Sequence, residues 1–434
     1  MEFNVNDTVL LPKYIIEKFI DSYWIVVAPD YPNWIILNDI EHTMFKYIKS
    51  NTILGALKSF YNETKLSEEE CLVIVKNLLT KINNSDFYLN SEIHKEETIE
   101  TIPKRIHINI TNNCNMRCNH CFMSAGLNPI DELNVENLLK TIKELEVELG
   151  VMDIVISGGE PLMHKKIYEL LKGLSKHNIT LFTNASLINE KNIDIIANTC
   201  KEVQVSFEGI SKSSYENIRG PFYSKVLKSL TLLKERNLRI ILAITILPTT
   251  MNDINDNLVN FIKELNYNNL EIRLNDEIEM TGNALNMDFT NYDQHKAKQI
   301  LINQLNNLVN KGLAIKSEKE KNVHFTNCGI GTNIVINSDG KIYPCNKFSN
   351  LFYTFESAKK LINEFNDLNR NTSNSFIEKC KHCELKYICA GGCRIDNFIQ
   401  NGDMLKPICD ENYKYEQYRK LLNDYLEGES NYVQ

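Results

Sequence analysis

The stretch Ile106-His107-Ile108-Asn109-Ile110-Thr111 leads through two asparagines into Cys114-Asn115-Met116-Arg117-Cys118-Asn119-His120-Cys121, and its reading decides the fold. Residues 106–111 are a short β-branched run and read as a strand. The loop that follows carries three cysteines spaced C-x3-C-x2-C. Three thiolates on one loop can hold three corners of a cubic [4Fe-4S] cluster, which a fourth cysteine would normally complete. With three, one iron stays open to a cofactor or substrate. A zinc site is the first alternative, and it would want a fourth protein ligand, for which His120 is near. Plain buried thiols are the second. The loop sits at the C-terminal end of a strand, where α/β barrels place their sites.

Beyond this loop, short β-branched runs alternate with helical patterns. Strands are expected at 106–111, 153–156, 180–183, 203–207, 239–246 and 270–274, with helices near 135–149, 165–175, 190–197, 223–236 and 255–265. Such alternation implies a parallel sheet with helical crossovers. Six units are too few for a complete eight-stranded barrel, so the expected fold class is α/β with a partial (β/α)6 TIM-type barrel over 102–312.

Before it, residues 1–95 read as a separate winged-helix-like α+β domain. Trp24 to Ala28 and Trp34 to Leu37 are strands around a Pro-Asp-Tyr-Pro turn. Asn38-Asp39 caps a helix, 53–61 is a second, and Ser67-Glu68-Glu69-Glu70 opens a third. Residues 94–101 read as a linker. After it, 313–434 is a cysteine-rich domain with a hairpin at 332–343 turning on Asp339-Gly340 and a closing helix at 413–426. Its cysteines are Cys328, Cys345, Cys380, Cys383, Cys389, Cys393 and Cys409. A single zinc knuckle would use the run of four and leave the others unexplained.

Composition sets the outer limits. The chain has 434 residues, 12 cysteines and a formal net charge of -8, too long for one ordinary domain. Its acidic balance excludes nucleic-acid binding driven by phosphate neutralisation. No segment is long and apolar enough for a bilayer, and the N-terminus lacks the pattern of a secretory signal, so a cytoplasmic location is expected. There thiols stay reduced, which points the cysteines to metal or redox chemistry. Cys71 and Cys200 read as buried small hydrophobes.

The C-x3-C-x2-C loop after the first strand resembles the radical S-adenosylmethionine (SAM) enzymes. In that family the open iron chelates the amino and carboxylate groups of SAM. An electron from the cluster cleaves SAM to methionine and a 5'-deoxyadenosyl radical, which abstracts hydrogen from substrate. The resemblance extends to Gly158-Gly159-Glu160-Pro161 after the second strand. There the glycines let backbone approach the ligand, and Glu160 accepts hydrogen bonds from the methionine ammonium. It also assigns SAM positioning to Thr183 and Asn184, contacts with the SAM ribose or carboxylate to Ser206 and Arg219, and packing near adenine to His120.

The seven tail cysteines, with Gly340, resemble the SPASM extension of that family, which carries two auxiliary [4Fe-4S] clusters. The resemblance gives Cys380, Cys383, Cys389 and Cys409 to an outer cluster and Cys328, Cys345 and Cys393 to an inner one, making three clusters in all. Many relatives have a further cysteine shortly before Cys328. Here residues 321–327 contain none, so either His324 or another residue ligates, or an inner iron is open to a substrate thiolate. The N-terminal domain resembles the peptide-chaperone fold of pyrroloquinoline quinone biosynthesis, which binds an unstructured leader as an added edge strand.

The combined resemblance implies a maturase of a ribosomally made precursor peptide. Its leader would sit on the N-terminal domain, and a flavodoxin or ferredoxin would donate electrons, with no nucleic acid or membrane as partner. A thioether from cysteine sulfur to a peptide carbon best suits an open inner cluster. A C-C crosslink, an epimerisation and formylglycine formation on a sulfatase are the rivals within the class. An iron-sulfur electron carrier or sensor is the rival outside it. No general base is assigned. Asp276, Glu277 and Glu279 follow the sixth strand and read as a solvated loop.

Overall fold

The computed structural model describes residues 4–30, 33–89, 103, 105–126, 130–276, 278, 281–290, 292–313, 325–347 and 351–429. The expected linker at 94–101, His324, Glu277 and Glu279 lie outside the described residues. By internal packing the chain divides into two units. The first comprises Met1–Glu100, Glu318–Cys328 and Asn369–Glu429, and the second Thr101–Ser317, Gly329–Leu368 and Ser430–Gln434.

The first unit opens with an antiparallel meander of β1 (Ile16–Ile20), β2 (Tyr23–Ala28) and β3 (Asn33–Leu37). Asp21 and Ser22 both take positive φ, 45° and 72°, as a two-residue hairpin of the right twist requires. Three helices follow: α1 (Asp39–Ile48), α2 (Ile53–Thr64) and α3 (Glu68–Asn84). Asn38 with Glu41, and Ser67 with Glu70, form reciprocal capping boxes that fix where α1 and α3 begin.

Strand periodicity then sorts the meander into two faces. Val26, Ala28, Ile35 and Leu37 pack with Met44, Phe45, Ile48, Phe60 and Leu78 of the three helices. The alternate set, Ile20, Ile25, Val27 and Ile36, packs with Leu385, Tyr418, Leu421 and Leu422. The closing helix, Glu411–Glu429, therefore completes the second core of the N-terminal sheet. Leu422 is 1% exposed there. Leu422→Ala is expected to lower the unfolding free energy by about 2–5 kcal/mol, read by denaturant titration.

The second unit holds six parallel strands in chain order: β4 (Arg105–Asn109), β5 (Asp153–Ser157), β6 (Asn178–Thr183), β7 (Glu202–Ser206), β8 (Arg239–Thr245) and β9 (Leu270–Asn275). Ile106, Ile108, Ile154, Ile156, Ile179, Leu181, Val203, Val205, Ile240 and Leu242 share one core with the crossover helices. Among the described residues the sheet has eight strands, because β10 (Asn333–Ile336) pairs parallel with β4 and β11 (Ile342–Tyr343) pairs antiparallel with β10. The sequence places that hairpin in the cysteine-rich tail, whereas in the structure it extends the barrel sheet. The reason is pattern: Ile334 and Ile336 stand beside Ile106 and Ile108 and continue the same apolar face. Among the described residues no helix is long and apolar enough to cross a membrane.

Candidate active site

The C-terminal ends of β4 to β9 bring the cysteine loop, the Gly-Gly-Glu-Pro turn and the loops after β6, β7 and β9 together. The two glycines come first, because they set how close these segments lie. A Cβ on Gly159 would stand 2.2 Å from the carbonyl oxygen of Asn113, and one on Gly158 would stand 2.3 Å from that of Thr111. Gly158 also has φ +139°. The backbone that needs this room is the run into Cys114, so these glycines serve the cysteine loop. Backbone approaches backbone here, closer than any side chain would allow. Gly159 N donates to Thr111 O and Glu160 N to Asn113 O, each at 2.7 Å, which ties the two loops together.

Glu160 is fully buried. Its Oε1 accepts from Thr183 Oγ1 at 2.7 Å and from Leu162 N at 3.1 Å, and its Oε2 accepts from Asn184 N at 2.7 Å. It also caps the short 3-10 turn Pro161–Met163, in which Pro161 is buried. Burial pushes the carboxyl up to about 7, and the three hydrogen bonds only partly offset this. Asn184 Nδ2 donates to Asn115 Oδ1 at 3.0 Å and lies 3.9 Å from Cys114 Sγ. Glu160, Thr183, Asn184 and the first cysteine thus form one connected set.

A second set surrounds Cys118. Arg219, buried at the end of the Lys212–Arg219 helix, donates from Nη1 to Cys118 Sγ at 3.5 Å. Its Nε makes a close ion pair with Glu208, and His120 Nε2 lies 3.5 Å from the same carboxylate. Burial would raise the Glu208 carboxyl, but the Arg219 charge and His120 outweigh it and hold the group well below the usual carboxylate range. Burial raises Cys118, and Arg219 opposes it. Burial likewise pushes the Cys114 thiol up to about 11, so metal uptake here would release protons.

The loop after β9 holds the cysteines from the other side. Asn283 N donates to Cys121 O at 2.8 Å and Asn283 Nδ2 to Cys118 O at 3.1 Å. Gly282 is needed there, since a Cβ would meet Cys121 O at 2.4 Å. Ser206 is the last residue of β7 and half-buried. Asp276 O accepts from Tyr292. Reading the sequence missed Glu208, Asn115 and Asn283. Only Glu208 had a signal: an acid inside an otherwise apolar strand end, with an arginine eleven residues on, is a candidate buried pair.

In the first unit, Cys380, Cys383, Cys389 and Cys409 line one cavity of about 180 Å3 with Tyr413 and Lys414. Beside it Arg394 is fully buried and donates to the carbonyls of Thr372, Gly392 and Ala390, each at 2.6 Å. Burial lowers Arg394, and Cys328, Cys380, Cys389 and Cys393 act against that. A buried cation on which four cysteines act favours their thiolate forms. Cys345, after β11, belongs to the second unit. Cys71 and Cys200 are buried, as expected of small hydrophobes. Among the described residues no three His, Cys, Asp or Glu side chains converge as on a single ion.

Three comparisons bear on these sites. Residues 108–263 match the family model of the Radical SAM superfamily. The PqqA peptide cyclase of Bradyrhizobium diazoefficiens is 24% identical over 367 residues, 78% of this chain and 94% of that protein. The antilisterial bacteriocin subtilosin biosynthesis protein AlbA of Bacillus subtilis is 24% identical over 334 residues, 71% of each chain. Among solved structures, Streptococcus suis SuiB bound to S-adenosylmethionine has a TM-score of 0.56 at 17% identity, over 93% of this chain and 99% of that one. The last likeness shows the fold alone.

Proposed function

We propose that this chain, whose residues 108–263 are a radical SAM domain, matures a ribosomally made precursor peptide by forming a thioether from a peptide cysteine to a peptide carbon. The domain and the peptide-modifying relatives support the enzyme class. One observation carries the finer reading. Of the seven tail thiols, four line one cavity, and the resemblance gives the other three, Cys328, Cys345 and Cys393, to a second centre that is one cysteine short of a complete set.

The donor set fits the group its family implies. Cys114, Cys118 and Cys121 would hold a [4Fe-4S] cluster with SAM on its open iron. Together these supply a hydrogen-abstracting radical when bound. Glu160 would hold the methionine amino group, with Thr183 and Asn184 fixing the carboxylate of Glu160. Gly158, Gly159 and Pro161 would set the path of that turn. Arg219, Ser206 and His120 would line the remainder of the SAM site. In the tail, Cys380, Cys383, Cys389 and Cys409 would hold the outer cluster, and Cys328, Cys345 and Cys393 the inner one. The first unit's three-stranded sheet would take the leader as an added strand and raise the effective concentration of the core peptide. A flavodoxin or ferredoxin would supply electrons in the cytoplasm.

Thioether formation removes two hydrogens from the peptide: one from the acceptor carbon, and the thiol proton. The first leaves as a hydrogen atom to the SAM-derived radical, the second as a proton, and the one electron left over would return to the electron carrier. Anaerobic incubation of the reconstituted enzyme with SAM, reductant and a cysteine-containing precursor tests this by mass spectrometry. A product lighter by two hydrogens, whose cysteine resists alkylation, is expected. The same mass with an alkylatable cysteine would assign a C-C crosslink instead, and an unchanged mass with deuterium uptake an epimerisation. An unaltered peptide would sink the reading.

A further inference from the structure

Tyr215 lies one helical turn before Arg219, at i and i+4 on the Lys212–Arg219 helix, and so on the face that addresses Cys118. It is fully buried. Its ring is held by Phe207 and Tyr223, with centroids 5.2 and 5.6 Å away. Gly209 brings the loop after β7 against the same turn, for a Cβ there would stand 2.5 Å from Tyr215 N. The packing fixes where the hydroxyl sits. Yet that hydroxyl has no hydrogen-bond partner among the described residues.

An unpartnered buried hydroxyl costs about 1–3 kcal/mol, and phenylalanine would fill the same space without that cost. Such a group in a native core asks for an explanation. Its surroundings supply one. Arg219, Glu208, Cys118 and Glu160 all lie close enough for their charges to act on it. Those groups are already engaged with one another or with backbone: Arg219 with Glu208 and Cys118, and Glu160 with Thr183, Leu162 and Asn184. None of them takes a hydrogen bond from the Tyr215 hydroxyl, which leaves it free to donate to a group that the chain does not supply.

We propose that Tyr215 is a cofactor-binding residue, whose hydroxyl donates a hydrogen bond to an anionic acceptor brought to the cysteine loop by the bound cofactor. This rests on the radical SAM reading of the site. Two sources offer that chemistry: a sulfur of the cluster, or the carboxylate at the methionine end of SAM.

Tyr215→Phe separates them in the reconstituted full-length enzyme. Without iron, the variant should be as stable as wild type or more so in thermal unfolding, since it loses no bond. With iron, it should take up the same amount. If the acceptor is the cluster, its midpoint potential without SAM, followed by EPR, moves to lower values. If it is SAM, the dissociation constant rises by about tenfold and the potential holds. Both readouts unchanged would overturn the proposal, as would a loss of stability in the iron-free variant, which would assign the hydroxyl to the fold. Wild type that takes up iron but binds no SAM would instead remove the radical SAM reading, and this proposal with it.

Discussion

Gly159→Ala is expected to yield a folded protein that can no longer hold iron at its three-cysteine loop. The added methyl would stand 2.2 Å from Asn113 O, 2.7 Å from Asn113 C and 2.8 Å from Asn112 O. All three are backbone atoms, so no side chain can swing away to make room. The run into Cys114 must move, and with it go the bonds from Gly159 N and Glu160 N that tie the two loops. Overpacking of this kind costs about 1–3 kcal/mol. The larger effect is on loading: the anaerobically reconstituted variant should carry about four fewer irons per chain than wild type. Iron analysis with EPR checks it. A full complement of iron with wild-type EPR would show that the glycines do not set the loop.

Glu160→Gln should weaken SAM binding by about 10–100-fold, as loss of a charged hydrogen-bond acceptor does. The amide cannot reproduce the carboxylate. One of its ends would present donors to Asn184 N, or to Thr183 and Leu162, which are themselves donors. The variant also tests a pH dependence. The buried carboxyl titrates at about 7 against an ordinary 4.5. Below about pH 7 it is protonated and a poorer acceptor, so the wild-type SAM dissociation constant should rise as pH falls through that range. Stability without cofactor runs the other way. Between 4.5 and 7 the folded state binds more protons than the unfolded, so stability should fall as pH rises across that window. Both trends should shrink in Glu160→Gln. Identical titration curves for variant and wild type would contradict the assignment.

Much of the barrel was legible because its strands are apolar on the helix-facing side and bounded by turns. The expected strand at 239–246 lies at Arg239–Thr245, and that at 270–274 lies at Leu270–Asn275. β1 was not legible. Glu17 and Lys18 sit in its middle, on an edge strand paired along one side only, so the apolar signal is broken. Nor did local pattern show that β10 pairs with β4, since 228 residues separate Asn109 from Asn337, which it hydrogen-bonds. In the candidate site, motif spacing singled out the cysteines and Glu160. What it could not show was which groups they meet: Arg219 reaches Cys118 and Glu208, and the glycines lie against the backbone of the cysteine loop.

The N-terminal sheet also changes how rival chemistries should be separated. Removing residues 1–95 would be the natural way to ask whether activity needs a leader-binding domain. Ile20, Ile25, Val27 and Ile36 share a core with Leu385 and the closing helix, so the deletion would strip the cover from the segment that bears the outer cysteines. Substitutions on the exposed edge, such as at Phe19, keep that core and ask the question cleanly.

Radical chemistry at the three-cysteine loop is tested by the amount of 5'-deoxyadenosine formed against the amount of peptide altered, in one anaerobic reaction with SAM, reductant and precursor. Equal amounts are expected in wild type, and neither product in Cys118→Ala. Peptide altered without 5'-deoxyadenosine, or both products persisting in Cys118→Ala, would contradict it.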